Sequence, residues 1–291
     1  MLDFVESNTI YRTIVGSTCY GLNTPTSDID MKGICIPPKE YYFGLKKFEQ
    51  QENGKDDTTY AIKKFVSLAR DCNPNIIEML YVDERFIQKI TKYGQMLRDH
   101  RHLFLSKKAK FTFSGYAFAQ LKRIKGHRKW IMFDQVEPKP EDFFCEKIRK
   151  DSNGNDVIYT HFKEHEYNDA LKKWNQYLDW KKNRNPDRAI LEEKYGFDCK
   201  HATHLIRLLK MGIEILTKGE VIVLRPDREE LLDIRNGKWS YDKIVTYAEG
   251  LEKDLNQLYE KSSLPQSPND KVIDKMLQNI TEEFLSENNS K

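Results

Sequence analysis

An α+β fold is predicted by three features of the sequence. Short β-branched segments lie near the N-terminus, the periodicity changes to helical near Tyr60, and long amphipathic stretches run from about residue 85 to the end. The expected arrangement is a small α/β domain with a mixed sheet over residues 1–100, followed by a mainly helical domain over residues 101–291.

The first strand is read at Ile10–Val15, where IYRTIV is rich in β-branched residues, and Gly16-Ser17 ends it. LNTPTS (22–27) is turn-forming: Pro25 fixes φ, and Asn23, Thr24, Thr26 and Ser27 offer local side-chain bonds. DIDMKGICI (28–36) alternates and reads as a second strand, stopped by Pro37-Pro38. A turn at Asn53-Gly54 precedes a short third strand near Asp56–Tyr60. Ile62, Phe65, Val66 and Ala69 then fall at helical spacing. Asn73-Pro74-Asn75 breaks that helix and, with Glu78, reads as a helix stop and cap; Ile76–Tyr81 packs again as strand or short helix.

Beyond residue 85 the pattern is helical. Residues 101–130 hold one or two helices, and 137–156, with two prolines and DSNGND, form a loop or small hairpin. Residues 166–184 and 198–218 read as helices, the second with an apolar stripe of Leu205, Leu208, Leu209, Ile213 and Leu216. VIVLRPD (221–227) reads as a short strand or edge, and 240–261 and 269–285 as amphipathic helices around SSLPQSP. No repeat of fixed period is present.

The chain has 291 residues, enough to bury a sizeable core. Its balance of 48 basic and 45 acidic residues neither demands nor excludes a nucleic-acid partner, so only local clusters can argue that point. Cys19, Cys35, Cys72, Cys145 and Cys199 are odd in number and scattered, which argues against a disulfide framework or a cysteine zinc site and favours a reducing, cytoplasmic setting. Neither a signal peptide nor a membrane span is expected.

The chemistry concentrates in residues 15–30. If residues 28–36 form a strand, Asp28 and Asp30 project from one face with Ile29 buried on the other. Two adjacent carboxylates repel unless a cation lies between them, and hard oxygen ligands in a partly open site suit Mg²⁺ or Mn²⁺. Gly16 allows close backbone approach to a ligand, and Ser17 offers a hydroxyl and an amide. A helix beginning just after this pair would add N-terminal amides to an anion site. Together these parts make a triphosphate cradle beside a divalent-metal site.

The pattern Gly16-Ser17, then Asp28-Ile29-Asp30 ten residues on, resembles the signature of the DNA polymerase beta superfamily of nucleotidyltransferases. A wider likeness to an uncharacterised bacterial and phage branch of that superfamily is carried by YAIKKFVSLARDCNPNIIEML, KHATHLIRLL and the late Leu264-Pro265-x-x-Pro268. The resemblance implies a nucleotidyltransferase domain in which Asp28 and Asp30 bind two metal ions with a third acid from a neighbouring strand. Asp56 is preferred for that role, with Asp57 as alternate and Glu49 and Glu52 as weaker choices. It further implies transfer of a nucleoside monophosphate from a nucleoside triphosphate such as ATP to a hydroxyl, with Ser17, Lys200 and Arg207 near the triphosphate.

Each pointed reading has a plain counterpart. Isolated D-x-D and Gly-Ser pairs are common strand ends and turns; their conjunction at this spacing is the stronger signal. His201, His204 and Arg207 stand at i, i+3 and i+6 of a helix and form either an exposed polar face or a cleft lining that includes His204 as a ligand contact. Residues 107–130 interleave Lys107, Lys108, Lys110, Lys122 and Arg123 with Phe111, Phe113, Tyr116 and Trp130. They read either as an RNA-binding stretch or as a solvated helix with core aromatics.

Overall fold

The computed structural model describes residues 2–25, 27–54, 56–144, 146–150, 153–154, 156–159, 164–184 and 186–288. The chain forms two compact units, Met1–Leu121 with Lys200–Lys291, and Lys122–Cys199. This division differs from a boundary at residue 100, because residues 200–291 belong with the sheet.

In the first unit, strands β1 (Thr9–Val15), β2 (Asp30–Cys35), β3 (Gln50–Glu52), β4 (Asp57–Ala61) and β5 (Ile87–Ile90) make a mixed sheet of order β3-β4-β2-β1-β5. Only the β2–β4 pairing is parallel. Strand β1 lies inside the sheet, so Ile10, Tyr11, Thr13 and Val15 are all buried. The edge strand β3 and the strand β5 escaped the sequence reading. β3 is three polar residues with no apolar face, and β5 offers only Ile87 and Ile90 as a pattern.

The same unit holds helices α1 (Asp3–Ser7), α2 (Glu40–Phe43), α3 (Ile62–Arg70), α4 (Pro74–Tyr81) and α5 (Lys92–Asp99), and the start of α6 (Lys108–Met132). α3 buries Ile62, Phe65, Val66 and Ala69, the stripe its spacing predicts. α4 starts as Asn73 suggests: its side chain accepts from the Asn75 amide at 3.1 Å, and Pro74 takes the first helical position. Glu78 is not part of that cap; it lies buried inside α4.

In the second unit, α6 is followed by the hairpin β6 (Glu146–Lys150) and β7 (Asp156–Tyr159), then α7 (Glu164–Asn183) and α8 (Pro186–Tyr195). The hairpin realises the expected loop or hairpin at 137–156, whereas α8 has no predicted counterpart. Cys145 lies outside the described residues.

Back in the first unit come α9 (Cys199–Lys218), α10 (Arg228–Arg235), α11 (Tyr241–Lys261) and α12 (Asp270–Asn288). On α9, Leu205, Leu208, Leu209 and Leu216 are buried as the stripe requires, while Ile213 is only half-buried. Each such leucine contributes about 1.5–3 kcal/mol over an exposed one. VIVLRPD forms no strand. Val221 and Val223 are buried by packing, and the Arg225 amide donates to the Tyr20 carbonyl at 3.2 Å. Among the described residues no helix is long and apolar enough to cross a membrane.

Candidate active site

Strand β1 ends opposite the start of β2, with Val15 paired to Asp30. Gly16 follows at φ +71°, in the left-handed region. A Cβ built on it would lie 2.0 Å from Asp30 Oδ2. Both the dihedral and the close carboxylate therefore demand glycine. Gly16→Ala is expected to displace the Asp30 carboxylate and to destabilise the loop, the left-handed backbone alone costing about 1–2 kcal/mol for a residue with a Cβ. Urea unfolding of the variant checks this.

Ser17 does not open a helix. The chain turns instead, with the Gly21 amide donating to the Thr18 carbonyl at 3.1 Å and the Leu22 amide to the Ser17 carbonyl at 2.8 Å. Helix N-terminal amides are thus not supplied here, and the loop is held by its surroundings. Arg228 Nε donates to the Gly21 carbonyl, and Arg235 Nη1 to the Leu22 carbonyl at 2.6 Å. On the inner side, the Tyr20 hydroxyl donates to Glu78 Oε2, and Arg207 Nη1 donates to Glu78 Oε1 at 2.6 Å. The Arg207 guanidinium sits 3.8 Å from the Tyr20 ring centroid. All three side chains are buried.

The carboxylates are placed by the sheet. Strand β2 begins at Asp30, so Asp28 and Ile29 precede the ladder. Ile29 is 65% exposed, not buried, and the strict alternation read from DIDMKGICI starts two residues late. Parallel pairing sets Met31 beside Asp57, and the Met31 amide donates to the Asp56 carbonyl at 2.9 Å. Asp56 therefore stands next to Asp30. Its φ of +63° is a strained value for a non-glycine residue, of the kind found at ligand-binding positions. Asp57 is engaged elsewhere, accepting from Arg12 at 2.6 Å. Of the weaker choices, Glu52 reaches the cavity wall and Glu49 pairs with Lys64.

Burial raises the pKa of Asp30, and the Asp56 carboxylate raises it further, with Asp28 adding to the effect; Lys200 and Lys32 act in the opposite direction. Asp28 itself is exposed and lies outside the cavity wall. The cavity has a volume of about 600 Å³, with Gly16, Ser17, Asp30 and Asp56 along one side. Lys200, Thr203, His204 and Arg207 line it from α9 at i, i+3, i+4 and i+7, a single helical face. His204 and Arg207 are thus cleft-lining. Arg207 is already paired with Glu78, whereas Lys200 acts on Asp30 directly through its charge.

Lys32 and Arg235 also line the cavity and were not singled out in the sequence. Lys32 was legible, because it follows Asp30 by two residues and shares its face of β2. Burial lowers its pKa, while Glu78 and Asp30 oppose that fall. Arg235 carries no such signal.

These residues fit a hard divalent cation in one specific sense. Among the described residues no three His, Cys, Asp or Glu side chains converge into a ready cage. Mg²⁺ characteristically binds through one or two carboxylates and takes its remaining oxygens from water and phosphate. Asp30, whose charge is made costlier by Asp56, and Asp56 itself offer that pair.

Residues 3–139 match the model of the RNA repair pathway DNA polymerase beta family (RlaP). The chain is also similar to the uncharacterized 38.9 kDa protein in the nrdC-mobD intergenic region of Enterobacteria phage T4. The two are 25% identical over 83% of this chain and 86% of the phage protein. No solved structure matches.

Proposed function

We propose, from the match of residues 3–139 to the RNA repair pathway DNA polymerase beta family, that the chain is a nucleotidyltransferase of the DNA polymerase beta superfamily, a Mg²⁺- or Mn²⁺-dependent enzyme transferring a nucleoside monophosphate from a nucleoside triphosphate, ATP among them, to a hydroxyl, with release of pyrophosphate. The observation that carries this reading is the convergence of Gly16, Asp30 and Asp56 on one cavity faced by Lys200.

In this reading the Gly16-Ser17 turn receives the β- and γ-phosphates through backbone amides and the Ser17 hydroxyl. Lys200 and His204 approach the triphosphate from α9. Asp30 and Asp56 would hold the cation, with the exposed Asp28 assisting from outside the cavity wall; the cation would supply charge neutralisation at the α-phosphate and lower the pKa of the attacking hydroxyl. The chain's own groups set the approach of nucleophile to phosphorus, and most of the rate gain comes from that positioning and from fixed charge. The family description, with its reference to RNA repair, favours an RNA hydroxyl as acceptor over a protein side chain or small molecule. Among the described residues Cys19, Cys35, Cys72 and Cys199 are free and buried, which fits action in the cytoplasm.

A second reading, a nucleotide-binding module without transfer, draws on the exposed position of Asp28 outside the cavity wall. One assay separates them: labelled-nucleotide transfer with Mg²⁺ or Mn²⁺, comparing the wild type with Asp28→Ala/Asp30→Ala. Transfer abolished by the double change supports the enzyme. Transfer unaffected by it removes this site from the reaction, and nucleotide binding without transfer favours the module.

A further inference from the structure

The basic and aromatic stretch at 107–130 divides between the two units. Its first half is absorbed into the first unit's packing: Phe113 is buried, and Phe111 packs edge-on against Tyr259 with their ring centroids 5.3 Å apart. Its second half does something different. His127 and Trp130 of α6 meet Trp174, Tyr177 and Trp180 of α7 in one continuous group of rings. His127 and Trp130 are stacked at 22°, and the Trp130 and Trp180 centroids are 5.3 Å apart. Trp174, Tyr177 and Trp180 recur at i, i+3 and i+6, so α7 presents them as a stripe.

Three of the chain's four tryptophans, Trp130, Trp174 and Trp180, are in this group of rings. Rings that served only as core would be buried, as Ile124, Tyr167 and Phe197 are in the same unit. Each of the five rings instead keeps part of its surface in solvent. The surroundings are positive. From Lys122 to Phe133 the sequence contains basic residues and no acidic one, and Lys122, Lys125 and Lys129 are exposed. On α7, Lys172, Lys173, Lys181 and Lys182 are exposed around the rings, with Asp179 between the two lysine pairs and Glu164, Glu166 and Asp169 in the helix's first turns.

We propose that the α6–α7 face of the second unit is a binding platform for single-stranded RNA, with Trp130, Trp174, Tyr177 and Trp180 stacking bases and the flanking lysines meeting phosphates. Partly exposed rings offer π-surface that unpaired bases can use and that a duplex, whose bases are already stacked, cannot. The lysines add attraction to the polyanion without sequence preference. The proposal names a site for the RNA acceptor and to that extent rests on the acceptor reading above, but binding needs none of the transfer chemistry.

The test uses the full-length chain, a short unstructured oligoribonucleotide and the intrinsic tryptophan fluorescence. Saturable quenching is expected, with affinity falling steeply as salt rises. Lys122→Glu/Lys125→Glu, which leaves the rings packed, is expected to weaken binding by at least about tenfold. Trp174→Leu is expected to weaken it by about fivefold or more while near-ultraviolet circular dichroism reports a retained fold. Lys271→Glu/Lys275→Glu on α12 serves as the charge control and is expected to bind nearly as the wild type. Asp30→Ala is expected to keep full RNA affinity, so a failed transfer reading and a failed platform are distinguishable. An equal loss in the α12 control, equal or tighter binding of duplex RNA or anionic vesicles, or no quenching at all would overturn the proposal.

Discussion

Asp30→Asn is expected to abolish nucleotide transfer while making the ligand-free chain more stable at neutral pH. The first half follows from position: Asp30 is the acid that both faces Gly16 and neighbours Asp56. Losing one charged oxygen at a site of phosphoryl chemistry removes several kcal/mol of charge stabilisation, and about 4 kcal/mol is on the order of 10³-fold in rate. The second half follows from the cost of the same charge. Burial, then Asp56, raise the Asp30 pKa, so the folded chain binds this proton more tightly than the unfolded one. Stability therefore falls as pH rises from the ordinary carboxylate value through the raised one, and the full penalty is present above it. Asparagine removes that penalty, so the variant's gain in melting temperature is expected at neutral pH and should vanish at acid pH. Addition of Mg²⁺ is expected to stabilise the wild type more than the variant. Asp57→Asn, which loses only the Arg12 partnership, is the matched control and is expected to retain transfer. A variant that loses activity without gaining stability would show that the Asp30 charge is not strained by its neighbours.

The second large effect concerns the buried brace beneath the Gly16–Leu22 loop. Glu78→Ala leaves Arg207 charged, about 1% exposed by its side chain, with its acidic partner gone. Breaking such a pair by removing one partner costs about 3–5 kcal/mol, and the Tyr20 hydroxyl loses its acceptor as well. Urea unfolding of Glu78→Ala is expected to show a loss of that size. Glu78→Leu/Arg207→Met, which removes both charges and fills the space, is expected to recover most of the stability, because the burial cost of the two charges disappears with them. Activity is expected to part from stability in that double variant. With Tyr20 no longer tied to α4, the loop that carries Gly16 and Ser17 loses its inner anchor, and KM for the nucleoside triphosphate is expected to rise. Full activity in the double variant would mean that Arg228 and Arg235 alone position the loop.

The sequence made the sheet's centre and the carboxylates legible for a simple reason: β1, β2 and α3 carry their own periodic apolar pattern, and glycine at a carboxylate contact leaves a local signature. Elements that borrow their stability from neighbours left no such trace. β3 is polar and exists because β4 offers it a ladder, whereas Val221 and Val223 look strand-forming yet are buried without one. The same limit applied to the site. Asp56 was preferred over Asp57 on the resemblance alone; in the structure Asp57 pairs with Arg12 and Asp56 lines the cavity, contacts that no local pattern announces. Ile29 misled because the alternation was read back into residues that precede the strand. Glu78, spaced like a cap residue, proved to be half of a pair whose other half, Arg207, lies 129 positions away. No local pattern encodes a contact of that range, nor the pairing of Arg235 with the Leu22 carbonyl.

The most direct measurement of the central claim is a crystal structure of the chain with Mn²⁺ and a nonhydrolysable nucleoside triphosphate, read by the anomalous signal of the metal. The expected result is manganese held by Asp30 and Asp56, with the β- and γ-phosphates on the Gly16-Ser17 turn and Lys200 beside them. Metal bound away from both aspartates, or a triphosphate seated outside the cavity that Gly16 and α9 enclose, would contradict the account.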